Sequence, residues 1–281
     1  MIVADMKKIM ATAPSQIQPW VKAEAIDYIE SCQELNPISI KSNALFSQFT
    51  TGKGESANLE LIADASTNFV FECIPSEPKA YFYGTSLLRQ TIPLKPNTTY
   101  FIVKPYSLFG VKGWKMPPTE CRDQHTLLNN LLETNDIEYK IIQASTFQNR
   151  IDLFKEHYID NWLDVDYSVC FEEYLAIILY MNHLTITMDE IAELSGYSKR
   201  YCRKRFTSEY GISPQKYIKI FRFQNTLRML LDRRFKRSLI QISNENGYFD
   251  EAHFIKDFKA YMGLSPDSFK NKYASLVEKE N

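Results

Sequence analysis

The chain has 281 residues, 44% of them apolar and 24% charged, with a formal net charge of −1. That length accommodates two domains of ordinary size, and the balance of residue types is that of a globular protein. The longest apolar stretch, Tyr174 to Met181, is far short of the ~20 residues that span a bilayer, and Met1 to Lys8 lacks the basic-then-apolar order of a signal peptide. Cysteines 32, 73, 121, 170 and 202 are odd in number and contain no CxxC pair. They point to a reducing, cytoplasmic setting and away from a disulfide framework or a structural zinc site. Neither a metal nor a cofactor is expected.

Residues 15–35 read as an amphipathic helix, with Trp20, Ala23, Ile26, Tyr28 and Ile29 on or near its apolar side. From Leu59 to Val111 the text changes to short apolar runs separated by Pro, Asn and Gly. Phe69 to Phe71, Ala80 to Tyr83 and Thr99 to Val103 are the clearest, and they predict a small sheet or barrel. Thr126 to Glu133, Thr146 to Trp162 and Ser168 to Met181 read as helices, the last two bridging to the C-terminal half. The aromatic content of 14% suits either core packing or a pocket for a small molecule. This half could instead mediate dimerisation or contact with a regulatory protein.

The near-zero net charge hides an asymmetry. Up to His183 there are 15 basic and 22 acidic residues, and from Leu184 onward 18 and 12. The basic part carries an internal repeat at a spacing of about fifty residues. Thr187 to Glu190 matches Ser238 to Gln241, each a capping box. Gly196-Tyr197 matches Gly247-Tyr248, each glycine ending a short helix. Ser198 and Asp250 are the next N-cap candidates, shifted by one extra residue in the second turn. Phe206 matches Phe258, and Gly211 to Pro214 matches Gly263 to Pro266. Each unit is therefore a capped helix, a glycine turn, a second capped helix and a Gly-x-Ser-Pro stop. Such paired helices form a helix-turn-helix, whose second helix can enter a major groove.

The first such helix begins Ser198, Lys199, Arg200 and places Arg200, Arg203, Lys204 and Thr207 on one face, with Cys202 and Phe206 inward. Arg pairs with guanine edges, and Lys or Arg neutralises phosphates. The second turns Phe254, Phe258 and Tyr261 inward and leaves Glu251, His253, Lys256 and Lys259 for DNA. Pro214 to about Leu231 forms a linker helix, with Tyr217, Phe221, Leu227 and Leu230 available to both units. A rigid linker would hold the two recognition helices about one DNA turn, roughly 34 Å, apart. Ser198, Arg205, Arg233, Arg234, Lys236 and Arg237 are candidate phosphate contacts.

These residues resemble the AraC/XylS family of bacterial transcription regulators over about residues 170–273. The resemblance is carried by Ile191-Ala192, Gly196 to Ser198, Phe206, Gly211 to Pro214, Tyr217 and Arg222. The second unit adds Gly247 to Phe254, Phe258-Lys259 and Gly263 to Pro266. It implies two helix-turn-helix subdomains, asymmetric double-stranded DNA sites, and usually activation through RNA polymerase. Positions matching the family's base-contacting ones are Arg200, Arg203 and Lys204, then Glu251, Ala252, His253 and Lys256. Four residues depart from the family pattern: Cys202 stands for leucine, Arg205 for an apolar residue, Ser243 for alanine and Lys256 for arginine. Residues 80–111 also look like the β-rich, cupin-like N-terminal module of some family members.

The expected architecture is an α+β N-terminal domain (1–145, a small sheet or cupin-like barrel with helices), a helical linker (146–166) and an all-α C-terminal domain (167–276) of two helix-turn-helix subdomains joined by a linker helix. Expected partners are double-stranded DNA, RNA polymerase, and a small-molecule effector or a regulatory protein. A homodimer is an open alternative, and no membrane is involved. A helical protein-interaction module without DNA binding is the alternative for the C-terminal half. An enzyme using the helix-turn-helix only for targeting is the other. In DNA-repair alkyltransferases, which carry a similar module, the acceptor cysteine lies in Pro-Cys-His-Arg. Here Pro118 to Arg122 lacks the activating histidine, and Cys121 with His125 has no third metal ligand. No Walker loop, GxSxG or HExxH is present, so no enzyme activity is expected.

Overall fold

Strict alternation at period two organises the first half of the protein. A computed structural model describes residues 18, 26–39, 42–52, 57–164, 171, 175, 178, 186–232 and 237–273. Eight strands are present among them: β1 (Ile26–Glu34), β2 (Asn43–Thr50), β3 (Ala57–Leu61), β4 (Asn68–Cys73), β5 (Lys79–Tyr83), β6 (Gln90–Leu94), β7 (Thr99–Pro105) and β8 (His125–Leu127). Six of them form an antiparallel sheet in the order β1-β2-β7-β4-β5-β8, while β3 and β6 pair as a separate antiparallel ribbon.

On one face of the large sheet Phe46, Phe69, Phe71, Phe82, Phe101 and Val103 are fully buried. They pack against α1 (Ile137–Gln143), α2 (Phe147–His157) and the single π turn Tyr158–Trp162 that continues it. Phe69 stacks on Trp162 at 5.6 Å between ring centres, and Phe71 meets Phe154 edge-on at 5.9 Å. The alternate residues of the same strands, among them Val70, Tyr83, Tyr100 and Ile102, face the β3-β6 ribbon. Because the side-chain period is two, a one-residue slip of any strand would exchange these two layers, so register is tightly specified.

Helices expected in the first half are revised in two places. Ile26–Glu34 is an edge strand paired with β2, and Ile26 and Ile29, assigned to an apolar helix face, are exposed. Their helical spacing is overridden by pairing with a strand whose partner residues lie 9 to 24 positions later in the chain. Trp20 and Ala23 lie outside the described residues. Thr126–Glu133 is not a helix. Leu127 pairs with Tyr81 in the sheet, a 3-10 turn follows at Leu128–Asn130, and Leu128, Leu131 and Leu132 are buried. Of residues 146–166, read as a helical linker, Phe147–His157 and Tyr158–Trp162 are helical, and Ile151, Phe154, Tyr158, Trp162 and Leu163 are part of the N-terminal core, while 165 and 166 lie outside the described residues. Of the stretch 168–181, Phe171, Leu175 and Ile178 are helical and the rest lies outside the described residues.

The second half comprises α3 (Met188–Ser195), α4 (Lys199–Tyr210), α5 (Pro214–Leu231), α6 (Leu239–Glu245), α7 (Glu251–Met262) and α8 (Pro266–Lys272). Its core is not self-contained: Ile62, Ala63 and Leu87 from the β-rich half are part of it. No helix among the described residues is long and apolar enough to cross a membrane.

His157 is buried edge-on against Trp162, and its Nε2 has no hydrogen-bond partner. Burial, then the nearby Lys140 charge, push its pKa down to about 4 from an ordinary 6.5, despite opposing effects of Asp160 and the Glu133 backbone. The unfolded chain therefore takes up this proton at a higher pH than the folded one, and stability falls as pH drops from 6.5 toward 4. The melting temperature measured at pH 7 and pH 5 should fall less in His157→Phe than in the unaltered protein. An equal fall in both would contradict a neutral buried imidazole.

Candidate nucleic-acid interface

Each helix-turn-helix is built from local signals that close as hydrogen bonds. Thr187 accepts from the Glu190 amide while the Glu190 carboxylate accepts from the Thr187 amide at 2.7 Å. Ser238 and Gln241 make the same reciprocal pair. These boxes satisfy amide groups that a helix start leaves open. α3 ends at Gly196, and α6 is followed by Gly247, with φ of 71° and 68°. That left-handed conformation turns the chain toward the next helix at little cost for glycine. Ser198 then caps α4 by accepting from Tyr201, and Asp250 caps α7 by accepting from His253 at 2.7 Å.

The inward faces are aromatic. In the first unit Cys202 and Phe206 are fully buried. Phe206 meets Tyr210 and, from the linker helix α5, Tyr217 at 5.3 Å. The Cys202 thiol lies 3.4 Å from the Ser195 hydroxyl, so the residue that replaces the usual leucine ties α4 to α3 by a polar contact. In the second unit Phe254 and Phe258 are fully buried and Tyr261 nearly so. Phe223 of α5 packs on Phe258 and Tyr261 at 5.5 and 5.1 Å. Ser243, fully buried, donates to the Asp250 carbonyl at 3.0 Å and so joins α6 to the start of α7.

With those faces fixed inward, the opposite faces are left open. Lys199, Arg200, Arg203, Lys204, Arg205 and Thr207 of α4 are all exposed, as are Ala252, His253, Lys256 and Lys259 of α7, while Glu251 is half-buried. Some of these groups have partners. Lys199 pairs with Asp189 of α3. His253 lies 3.6 Å from Asp257 one turn on. The Ser198 hydroxyl serves as a cap. Arg237 lies 3.2 Å from Glu245, which turns this expected phosphate contact back toward the protein. Arg233, Arg234 and Lys236 lie outside the described residues. No cluster of metal-ligating side chains occurs among the described residues, and burial, with the adjacent Glu120 charge, raises the Cys121 thiol pKa, opposite to what an acceptor cysteine needs.

The sequence did not show how several residues of this surface are placed. Phe249, at the extra position in the second turn, is 91% exposed immediately before the cap of α7. Tyr197 and Tyr201 stack at 4.8 Å on the outer side of the first unit, with Phe171 against them. Arg222 donates from the linker helix to the Gly247 carbonyl at 3.3 Å, anchoring the second turn. An aromatic in a turn, such as Phe249, has no periodicity to betray its exposure, and helical period does not reveal that Arg222 reaches a carbonyl 25 positions away.

Residues 191–272 match the family described as a helix-turn-helix domain. This part of the chain is a helix-turn-helix domain. Among curated relatives, the HTH-type transcriptional regulator YtdP of Bacillus subtilis is 25% identical over 153 residues, which is 52% of this chain and 20% of that protein. An HTH-type transcriptional regulator of Haemophilus influenzae is 32% identical over 83 residues, 30% of this chain and 27% of that protein. The chain thus spans about a fifth to a quarter of the length of these two relatives. Among solved structures, ToxT from Vibrio cholerae shares 10% identity with a TM-score of 0.46, covering 80% of this chain and 97% of that one.

The cap of α7 offers a direct check on how the helix-turn-helix domain is built. Asp250→Ala removes a side-chain acceptor and should lower stability by ~0.5–2 kcal/mol. A chemical denaturation midpoint unchanged by that substitution would contradict the assigned cap.

Proposed function

We propose that the protein is a sequence-specific regulator that binds double-stranded DNA by inserting α4 and α7 into adjacent major-groove segments. The observation that carries this reading is the division of each second helix into two faces. One is locked to α5 by aromatic residues, and the other is left exposed and bears Arg200, Arg203 and Lys204 on α4 or His253 and Lys256 on α7. An outward face of this kind at the start of a helix can reach base edges, with flanking cations on phosphates. The first unit, richer in Arg, reads bases; the second, with Lys256, Lys259 and His253, contributes more to phosphate contact and orientation. Lysine at 256 binds as a point charge without the planar fork of arginine.

In this reading the β-rich half receives a small molecule. Between the large sheet and the β3-β6 ribbon lies a cavity of about 980 Å³, its open mouth included. Phe49, Tyr28, Tyr81, Tyr83 and Tyr100 line it, with Lys104 and Glu72. Aromatic walls with a few polar groups are the usual composition of a ligand site. Occupancy would alter how the two units meet DNA and, through them, the recruitment of RNA polymerase. Pairing of two chains is a further step open to the same control.

Selection of bound sequences from a random duplex pool, using the full chain, tests binding, preference and half-site spacing together. No enrichment of any sequence would overturn the reading. On the selected site, Arg203→Ala should cost ~1–3 kcal/mol and relax preference at one base position. Lys259→Ala should instead weaken all duplexes alike and reduce the salt slope by about one. Titrations at several salt concentrations distinguish these outcomes.

A further inference from the structure

Residues 59–66 stand between the cavity and the helix-turn-helix domain and touch both. Leu59 and Leu61 line the cavity. Glu60, between them, points the other way and holds Arg89 through its Nε at 2.8 Å and its Nη2 at 2.7 Å. Arg89 in turn lies against Gly263, where α7 ends, in a crevice shared with Met262, Leu264 and Tyr273. The next two residues, Ile62 and Ala63, are buried in the core of the C-terminal half. The carbonyl of Ala63 accepts a 2.8 Å hydrogen bond from the side chain of Gln224, a fully buried residue in the middle of α5. One short run of chain is thus cavity wall at Leu59 and Leu61 and domain contact at Ile62 and Ala63.

Asp64 closes the circuit. Its carboxylate is fully buried and lies 2.7 Å from the ammonium of Lys104, which itself lines the cavity. It also accepts from Gln18 at 2.8 Å and from the Ser66 hydroxyl at 2.7 Å. Burial alone would raise the Asp64 pKa, but the Lys104 charge and these donors outweigh it and hold the carboxyl below its ordinary range. A buried charge keeps its place only while its partner is present, so the position of this segment depends on where Lys104 points. Ala65 follows with φ of 54°, a left-handed conformation that an alanine adopts against its preference. Hydrogen bonds from the Asp64 and Ala65 amides to the Ser86 carbonyl hold it there.

We propose that residues 59–66 are a coupling strap by which the contents of the cavity set whether α5 is held. An occupant displacing Leu59, Leu61 or the Lys104 ammonium has different contacts with the docked and the released strap, which is the condition for it to shift the equilibrium between them. Release frees the Gln224 side chain and the Arg89 contact at Gly263, and with them the arrangement of the two recognition helices. This inference rests on the reading of the cavity as a ligand site and of the C-terminal half as a DNA grip.

Amide hydrogen exchange on the full chain, without DNA, tests the coupling through substitutions at its two ends. Lys104→Met removes the charge pair from the cavity side and should speed exchange by ~10-fold or more both in 59–66 and in 214–231 while 147–157, in the opposite layer, stays protected. Coupling is reciprocal, so Gln224→Leu, made on α5, should speed exchange of the Asp64 and Ala65 amides. The proposal is overturned if Lys104→Met loosens 59–66 and leaves 214–231 at its original rates, or if Gln224→Leu leaves 59–66 unaltered. Should Lys104→Met also expose 147–157, the sheet itself has opened and the Gln224→Leu result decides. Titration of the unaltered protein with the selected duplex runs in parallel. Absence of binding there would remove the DNA reading and leave the exchange result standing.

Discussion

Two aromatic anchors on a single helix fix where the outward faces of both helix-turn-helix units point. Tyr217 of α5 packs against Phe206 of the first unit, and Phe223 packs against Phe258 and Tyr261 of the second. They lie six residues apart, roughly 9 Å along a helix that rises 1.5 Å per residue. Because α5 is one unbroken helix from Pro214 to Leu231, neither unit can turn without dragging on the other. Each fully buried phenylalanine in that chain of contacts is worth about 3–5 kcal/mol against alanine. That is far more than any exposed ion pair on the outer faces contributes. Packing on the inner side therefore decides the geometry, and charge on the outer side is free to serve recognition.

The β-rich half solves a similar problem with a sheet. Its large antiparallel sheet has an aromatic layer on each side. One is closed by α2 and the Tyr158–Trp162 turn, and the other is left partly open beneath the β3-β6 ribbon. The closed face supplies stability, with Phe46, Phe69, Phe71, Phe82, Phe101 and Phe154 in mutual ring contact. The open face carries the tyrosines, whose hydroxyl groups suit a surface that is only partly dry.

Charges divide the same way. Those on the recognition helices are exposed or paired at the surface, as with Lys199 and Asp189 or His253 and Asp257. The single ion pair among the described residues with both side chains nearly out of contact with water is Lys104 with Asp64, at the junction of the two halves. There, low local dielectric makes the pair strong and its loss costly, so this site resists small disturbance but responds to removal of one partner.

The C-terminal architecture was legible in the sequence because it is encoded locally. Thr187 with Glu190, Ser238 with Gln241, the glycines at 196 and 247 and the Ser-Pro pairs each act within a few residues. The linker helix begins and ends where Pro214 and Leu231 placed it. The inward faces of α4 and α7 followed from spacing alone, since helical period dictates which side chains share a face. The strands between Leu59 and Val111 were legible as a sheet, though not their order. What only the folded chain decided involves partners far apart in sequence. Ile26–Glu34 became a strand by pairing with β2, and the apolar run after Thr126 split between sheet edge and core. Ile151, Phe154, Tyr158 and Trp162 packed into the N-terminal layer. Lys104 met Asp64 across 40 positions and Gln224 met Ala63 across 161. Local hydrogen bonds and periodicity can be read along a chain, whereas contacts that depend on the closure of long loops exist only once the whole core has formed.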